Sequence, residues 1–142
     1  LAGTFAFLTH NRAILRKMER MARGYGLGRR MVEGASLDLS YQDFRRMYED
    51  PEPVLAAFSC EARKAIERGA EILLPAGNPV NMFLLDHKMR KIEGVPILDI
   101  LGTAVKTAEM LMDLKQIGIT RAPSPATVEQ REGLRARYNS VR

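Results

Sequence analysis

Cysteine is almost missing from this sequence, and its scarcity excludes several kinds of chemistry at once. The one thiol, Cys60, leaves no intrachain disulfide and no multi-cysteine metal site, as expected of a protein in a reducing cytoplasm. Histidine is nearly as rare: His10 and His87 lie in separate segments without ligand-like spacing, so no metal site is expected. Long apolar runs are lacking too. The greasiest stretch, residues 72–85, is cut by Pro75, Gly77, Asn78, Pro79 and Asn81, well short of the roughly 20 apolar residues of a membrane span. There is no low-complexity segment and no internal repeat beyond a rhythm of strands and helices. The net charge of +5 draws on Arg12, Arg16, Lys17, Arg20, Arg23, Arg29 and Arg30, with no aromatic stacking platform among them. They alternate with Ile14, Leu15, Met18, Met21 and Ala22, which marks the wet side of an amphipathic helix and not a nucleic-acid surface. Nucleic acid and membrane are therefore not expected partners.

What is present suits one ordinary domain: 142 residues, 46% apolar and 27% charged, enough to bury a core without staples. The chain opens on Leu1 and runs straight into a strand-like segment, with neither an initiator Met nor a signal-peptide pattern, so a preceding segment is expected. Residues 4–8 are aromatic and aliphatic and end in the polar Thr9, His10, Asn11 and Arg12, which predicts a buried strand entering a loop. Helical spacing follows over residues 12–23 and is stopped by the glycines of 24–28. A phosphate-binding loop would follow a strand and open a helix, whereas this glycine cluster follows a helix.

Residues 31–39 predict a weaker strand, and residues 40–50 a loop or short helix. Asp50, as a capping residue, with Pro51, Glu52 and Pro53 opens a helix that carries Val54, Leu55, Phe58, Ala62, Ala65 and Ile66 on one stripe and ends near Gly69. Cys60 falls outside that stripe, with no local activating group, and reads as a structural thiol behaving as a small hydrophobe. Two further strands, residues 71–74 and 95–98, are each followed by a helix, over residues 80–90 and from 101 to near Gly118. His87, among Asp86, Lys88 and Arg90, reads as solvated surface. Asp99 reads as the cap of the last helix.

Four strands, each followed by a helix or long connection, predict an α/β lobe: a four-stranded parallel sheet flanked by helices, Rossmann-like or flavodoxin-like. The lobe spans residues 1–120. Residues 121–142 form a proline-bearing tail with a possible helix over 126–138, expected to pack outside the lobe. In such sheets ligands sit beyond the carboxyl ends of the strands, which brings forward the turns at Thr9, His10 and Asn11, at Gly77 and Asn78, and at Asp99.

Three strings carry a resemblance. Residues 94–109 (GVPILDILGTAVKTAE) resemble the final strand, aspartate-bearing loop and last large helix of the aspartate/glutamate/hydantoin racemase superfamily. Residues 69–78 (GAEILLPAGN) are similar to the strand and turn that carry that family's second cysteine, and residues 4–11 (TFAFLTHN) to the first strand of its second lobe. The resemblance implies the C-terminal half of a two-lobed protein, with an N-terminal lobe preceding it, a tendency to form homo-oligomers, and a small carboxylate or hydantoin-like substrate held between the lobes. It implies a cofactor-independent enzyme in which a base on one face of an acidic Cα–H and an acid on the other invert the stereocentre.

On this alignment Gly77 stands where the family has its second-lobe cysteine. The symmetrical two-cysteine reaction therefore cannot be assigned to this chain. One-sided chemistry, decarboxylation or isomerisation, and a non-catalytic carboxylate-binding protein are the alternatives. Thr9, His10, Asn11, Gly77 and Asn78 are the implied substrate-binding residues, and His10 is the candidate replacement acid or base.

Overall fold

A computed structural model describes residues 3–120. The chain divides into two compact units, Leu1–Val105 and Lys106–Arg142. The first unit is an α/β sandwich. Its central sheet has three parallel strands, β1 (Ala6–Thr9), β2 (Ala35–Ser36) and β3 (Leu73–Pro75), in the order β2-β1-β3. Placing β1 in the middle explains why its four residues are all buried. Period-two alternation then sorts the residues to the two faces: Ala6, Leu8 and Leu73 to one, Phe5, Phe7, Ile72 and Leu74 to the other.

The first face is thickly covered. Helix α3 (Glu52–Glu67) lays Val54, Phe58, Ala62 and Ala65 on it, and α4 (Asn78–Asp86) adds Val80, Phe83 and Leu84. Phe58 and Phe83 are fully buried there, and truncating either to Ala costs about 3–5 kcal/mol in such settings. The other face is packed by α1 (Arg12–Gly24) through Leu15, Met18 and Ala22. As expected, α1 stops at its glycines: Gly26 takes φ 76° and the Leu27 N–H bonds the Ala22 carbonyl at 2.9 Å. Gly34 serves a different end, since a Cβ there would strike the Phe7 carbonyl oxygen, so the backbone beside β2 approaches β1 only with glycine in place.

Several expectations are corrected. The fourth strand is a single parallel bridge, Leu73↔Ile97, beside the three paired strands. The residues before it fold back instead, β4 (Lys91–Ile92) against β5 (Val95–Pro96), antiparallel. Glu93 and Gly94 make the two-residue turn, both with positive φ (49° and 82°), the backbone twist that suits a tight hairpin. The weak strand at 31–39 shrinks to β2 and a bridge from Met31 to Phe5, with a 3-10 turn, Gly28–Arg30, ahead of it.

Residues 40–50 contain a true helix, α2 (Tyr41–Arg46), held by a capping box between Ser40 and Asp43. Asp50 caps nothing, because the N-cap of α3 is Pro51, without a side-chain bond. Cys60 is exposed on α3 and fills no core space. His87 is half-buried: its Nδ1 lies 2.8 Å from the Phe83 carbonyl, and its ring lies 4.3 Å from that of Phe83.

Helix α5 (Ile100–Gln116) begins in the first unit and continues into the second. In the second unit, the helix closes where expected: Gly118 has φ 85° and the Ile119 N–H bonds the Leu114 carbonyl at 2.8 Å. The possible helix of the tail lies outside the described residues. Among the described residues no helix is long and apolar enough to cross a membrane.

Candidate functional site

The pairing of β1 with β3 matches Ala6 with Leu73, Phe7 with Leu74 and Leu8 with Pro75, and the Ala76 N–H continues the ladder to the Leu8 carbonyl at 2.8 Å. Continued two residues further, this parallel register sets His10 beside Gly77. Two separate turns thus meet at the carboxyl edge of the sheet. The first is braced on its own atoms. Thr9, fully buried, donates its hydroxyl to the Asn11 carbonyl at 2.7 Å, and Asn11 Oδ1 accepts the Ile14 N–H at 2.9 Å as the cap of α1. On the other side, the Leu37 and Leu39 N–H groups bond the Thr9 and His10 carbonyls, both at 2.8 Å. The polar atoms of Thr9 and the Oδ1 of Asn11 therefore shape the loop, and its His10 side chain is carried on a fixed backbone.

Alternation puts His10 on the face of Ala6 and Leu8. There its ring meets the edge of Phe44 from α2, with centroids 5.0 Å apart and planes at 75°. On another side it meets Gly77: a Cβ built there would stand 3.2 Å from His10 Nδ1. Gly77 also has φ 146°, a conformation that side-chain-bearing residues rarely adopt. Nδ1 is shut off from solvent and has no hydrogen-bond partner among the described residues. Burial pushes the imidazole pKa below its ordinary value of 6.5, with no neighbouring acid to hold it up.

The helix starts at this edge differ. At α5, Asp99 Oδ1 accepts the Gly102 N–H at 2.9 Å and the Asn81 amide at 3.2 Å, while Asn81 Oδ1 accepts the Ile100 N–H at 3.1 Å. The Gly102 N–H, and then the Asn81 amide, hold the Asp99 carboxyl below the usual carboxylate range. A Cβ on Gly102 would run into Asp99 Oδ2, so a larger residue there would push the capping carboxylate aside. At α4 no side chain caps the helix: its N-cap is Gly77, a proline sits in the first turn, and Asn78 is exposed. Pro79 has no N–H and the Asn81 N–H bonds the Gly77 carbonyl at 3.0 Å, so the Asn78 and Val80 N–H groups are those the first turn leaves without a helical partner, next to the Gly77 that packs on His10.

Asn81, Phe44 and Gly102 were not singled out by sequence reasoning. The signal for Asn81 was an amide in the otherwise apolar stretch from Val80 to Leu85, and it is indeed buried. Gly102, three residues after a capping aspartate, was a weaker sign. Phe44 carried none, because its contact with His10 is set by how β2 delivers the chain to α2.

Grooves lie elsewhere on the described residues, two of them of contrasting character. A polar groove of about 400 Å³ along β2 holds the ion pairs Arg12–Asp38 (3.1 Å) and Arg68–Glu33 (3.4 Å). An apolar groove of about 320 Å³ on the α1 face is lined by Phe5, Phe7, Ile72, Leu74 and Leu98 among others. Neither is lined by His10 or Gly77. Among the described residues no three His, Cys, Asp or Glu side chains gather where they could hold a metal ion.

No family model matches the chain, and no curated protein matches it. Among solved structures, it is similar to the allantoin racemase from Klebsiella pneumoniae, with a TM-score of 0.64 and 15% sequence identity. The match covers 88% of this chain and 48% of the racemase, so the chain spans about half the length of the structure it resembles. At that identity the likeness is one of fold, and it meets the racemase resemblance read from residues 94–109 at that level.

Proposed function

We propose that this chain is one lobe of a cofactor-independent isomerase of the racemase type, moving a proton at a carbon next to a carboxylate or imide. The observation that carries the reading is the meeting of two turns, Thr9 to Asn11 and Gly77 to Asn78, at the carboxyl edge of a fold shared with half of a racemase. The substrate is a small carboxylate or a hydantoin-like ring such as allantoin. A companion lobe closes the other side of the cleft and brings the thiol that Gly77 cannot supply. Because a lone lobe leaves its cleft face uncovered, the assembled protein is a homo-oligomer of two-lobed subunits, working in the cytoplasm.

The chemistry asks for little else. Breaking the Cα–H bond sends an electron pair onto the adjacent carbonyl oxygen, and the cost falls when donors already point at that oxygen. Uncapped N–H groups at the start of α4 supply such donors without reorganising. With one thiol in the cleft, exchange, isomerisation or decarboxylation is the expected outcome, in place of symmetrical inversion.

A second reading keeps the binding turns without turnover, and Gly77 favours it. The two part on one experiment. The intact protein is incubated in D₂O with allantoin, 5-substituted hydantoins, amino acids and substituted malonates, and Cα deuterium and released CO₂ are followed. Uptake or decarboxylation supports the enzyme. A melting temperature raised by these compounds with neither product supports the binding protein, and the lack of both effects overturns the two together.

A further inference from the structure

We infer that His10 serves this site as a neutral hydrogen-bond donor through Nε2–H, with Nδ1 held bare against Gly77, and is not the group that carries the proton. The substrate part of this inference rests on the isomerase reading above; the tautomer part does not.

The argument begins at Nδ1. That nitrogen is buried and has no partner among the described residues, so whatever it carries is left without a hydrogen bond there. A proton on Nδ1 would be an orphaned N–H donor. A bare lone pair is the better fit, because an N–H at this position would point at the Gly77 C–H, which cannot accept it. What faces the nitrogen agrees. The Cβ direction of Gly77, occupied by one of its α-hydrogens, ends 3.2 Å from Nδ1, and a C–H meets a lone pair far better than it meets an N–H. From α2 the ring is faced by Phe44, which offers no charge. The imidazolium form is disfavoured twice: it needs N–H on both nitrogens, and burial is the one cause acting on its pKa, downward. The proton therefore resides on Nε2, the nitrogen that is not sealed off.

This arrangement gives Gly77 a reason beyond its backbone angle. A side chain at position 77 would press on the His10 ring, its Cβ 3.2 Å from Nδ1, so the glycine and the imidazole fit one another. What the imidazole adds is a donor. In the step we assign to it, a thiolate of the companion lobe takes the Cα proton, the C–H electron pair moves onto the neighbouring carbonyl oxygen, and His10 Nε2–H hydrogen-bonds that oxygen without giving up its proton. Return of a solvent-exchanged proton from the same thiol restores the substrate. A neutral donor suits an oxygen whose charge comes and goes, since it neither over-stabilises the product of the first half nor needs recharging.

Two measurements test this. In the intact protein labelled with ¹⁵N-histidine, a two-bond ¹H–¹⁵N correlation at pH 7 should show His10 with protonated Nε2 and unprotonated Nδ1. A protonated Nδ1, as tautomer or as imidazolium, overturns the inference whether or not the protein turns anything over. The second compares His10→Gln, whose amide can donate near the position of Nε2 but cannot carry a proton at neutral pH, with His10→Ala. Deuterium uptake at Cα of a 5-substituted hydantoin should fall about 10²–10³-fold in the alanine variant and by only about tenfold in the glutamine variant. Equal loss in both variants makes His10 a proton carrier and overturns the donor role, as does a loss below about tenfold in the alanine variant. If the unsubstituted protein shows no uptake, the isomerase reading and the assigned step fall together, and the tautomer is decided by the spectrum alone.

Discussion

Helices α4 and α5 both start at the carboxyl edge of the sheet, yet their first turns are built on opposite plans. At α5 the polar groups close on one another: Asp99, Asn81, and the Ile100 and Gly102 N–H groups leave little for a ligand. At α4 no side chain closes the helix, and the N-cap is a glycine in a conformation that strains any other residue, facing a ring nitrogen that has no partner among the described residues. A sealed start contributes stability. An open one gives some up, and does so at the place where the Thr9 to Asn11 loop arrives. The difference teaches which of two similar turns to question for function, and each prediction below removes or exaggerates it.

The largest effect is expected where the sealed start is broken from within. Asn81 is 1% exposed and holds both the Asp99 carboxylate and the Ile100 N–H. In Asn81→Ala a buried side chain is removed and those half-buried groups lose their partner, and urea unfolding should show a loss of about 1–3 kcal/mol. Deuterium uptake per folded molecule should change little by comparison, since both hydrogen bonds of Asn81 go to the start of α5. Next comes the open start. Gly77→Ala forces a Cβ into a φ of 146° and to 3.2 Å from the His10 ring. Strain of this kind costs about 1–3 kcal/mol by the same measurement. Relief of part of that loss in the double variant His10→Ala/Gly77→Ala, measured as a non-additive cycle, would sharpen the claim that a side chain at position 77 presses on the ring.

Much of this edge could be read before the fold was seen, and what could not be read is instructive. Thr9, His10 and Asn11 stood out because a strand of aromatic and aliphatic residues ended on them, and the glycines of 24–28 stopped α1 by backbone freedom alone; both are local signals. The parallel sheet with helices on its faces followed from the rhythm of elements. The fourth strand did not survive as expected, because two positive-φ residues, Glu93 and Gly94, turn the chain into a hairpin before it reaches β3. That turn outweighs the apolar run of 95–98, of which Ile97 alone bridges β3. His10 against Gly77 lay beyond reach for another reason. The two residues are 67 positions apart in the sequence, and only the register of β1 on β3 brings them level.

The sealed start also makes a prediction about pH. The Gly102 N–H and the Asn81 amide hold Asp99 below the ordinary carboxylate value of 3.8 in the folded protein. A carboxyl depressed in this way stabilises the fold above its unfolded pKa and loses that contribution as pH falls through the folded one. Melting temperatures of the protein and of Asp99→Asn should therefore differ most above the ordinary value of 3.8 and converge below it. A constant gap across that window would mean that the cap works by shape and not by charge.

The smallest structural effect, and the most telling, is expected at Asn78. It is exposed, and among the described residues its amide makes no hydrogen bond. Asn78→Ala should leave the unfolding free energy within about 0.5 kcal/mol of the parent. If the open start is where a carboxylate or imide is held, the same variant should weaken substrate binding, seen as a higher KM for deuterium uptake with kcat less affected. Asn81→Ala is expected to behave in reverse, with a large loss of stability and little change in KM. A crossed pattern of that kind is hard to obtain unless the two helix starts do different work. Equal, small effects of Asn78→Ala on both readouts would make the open start a mere gap in the surface.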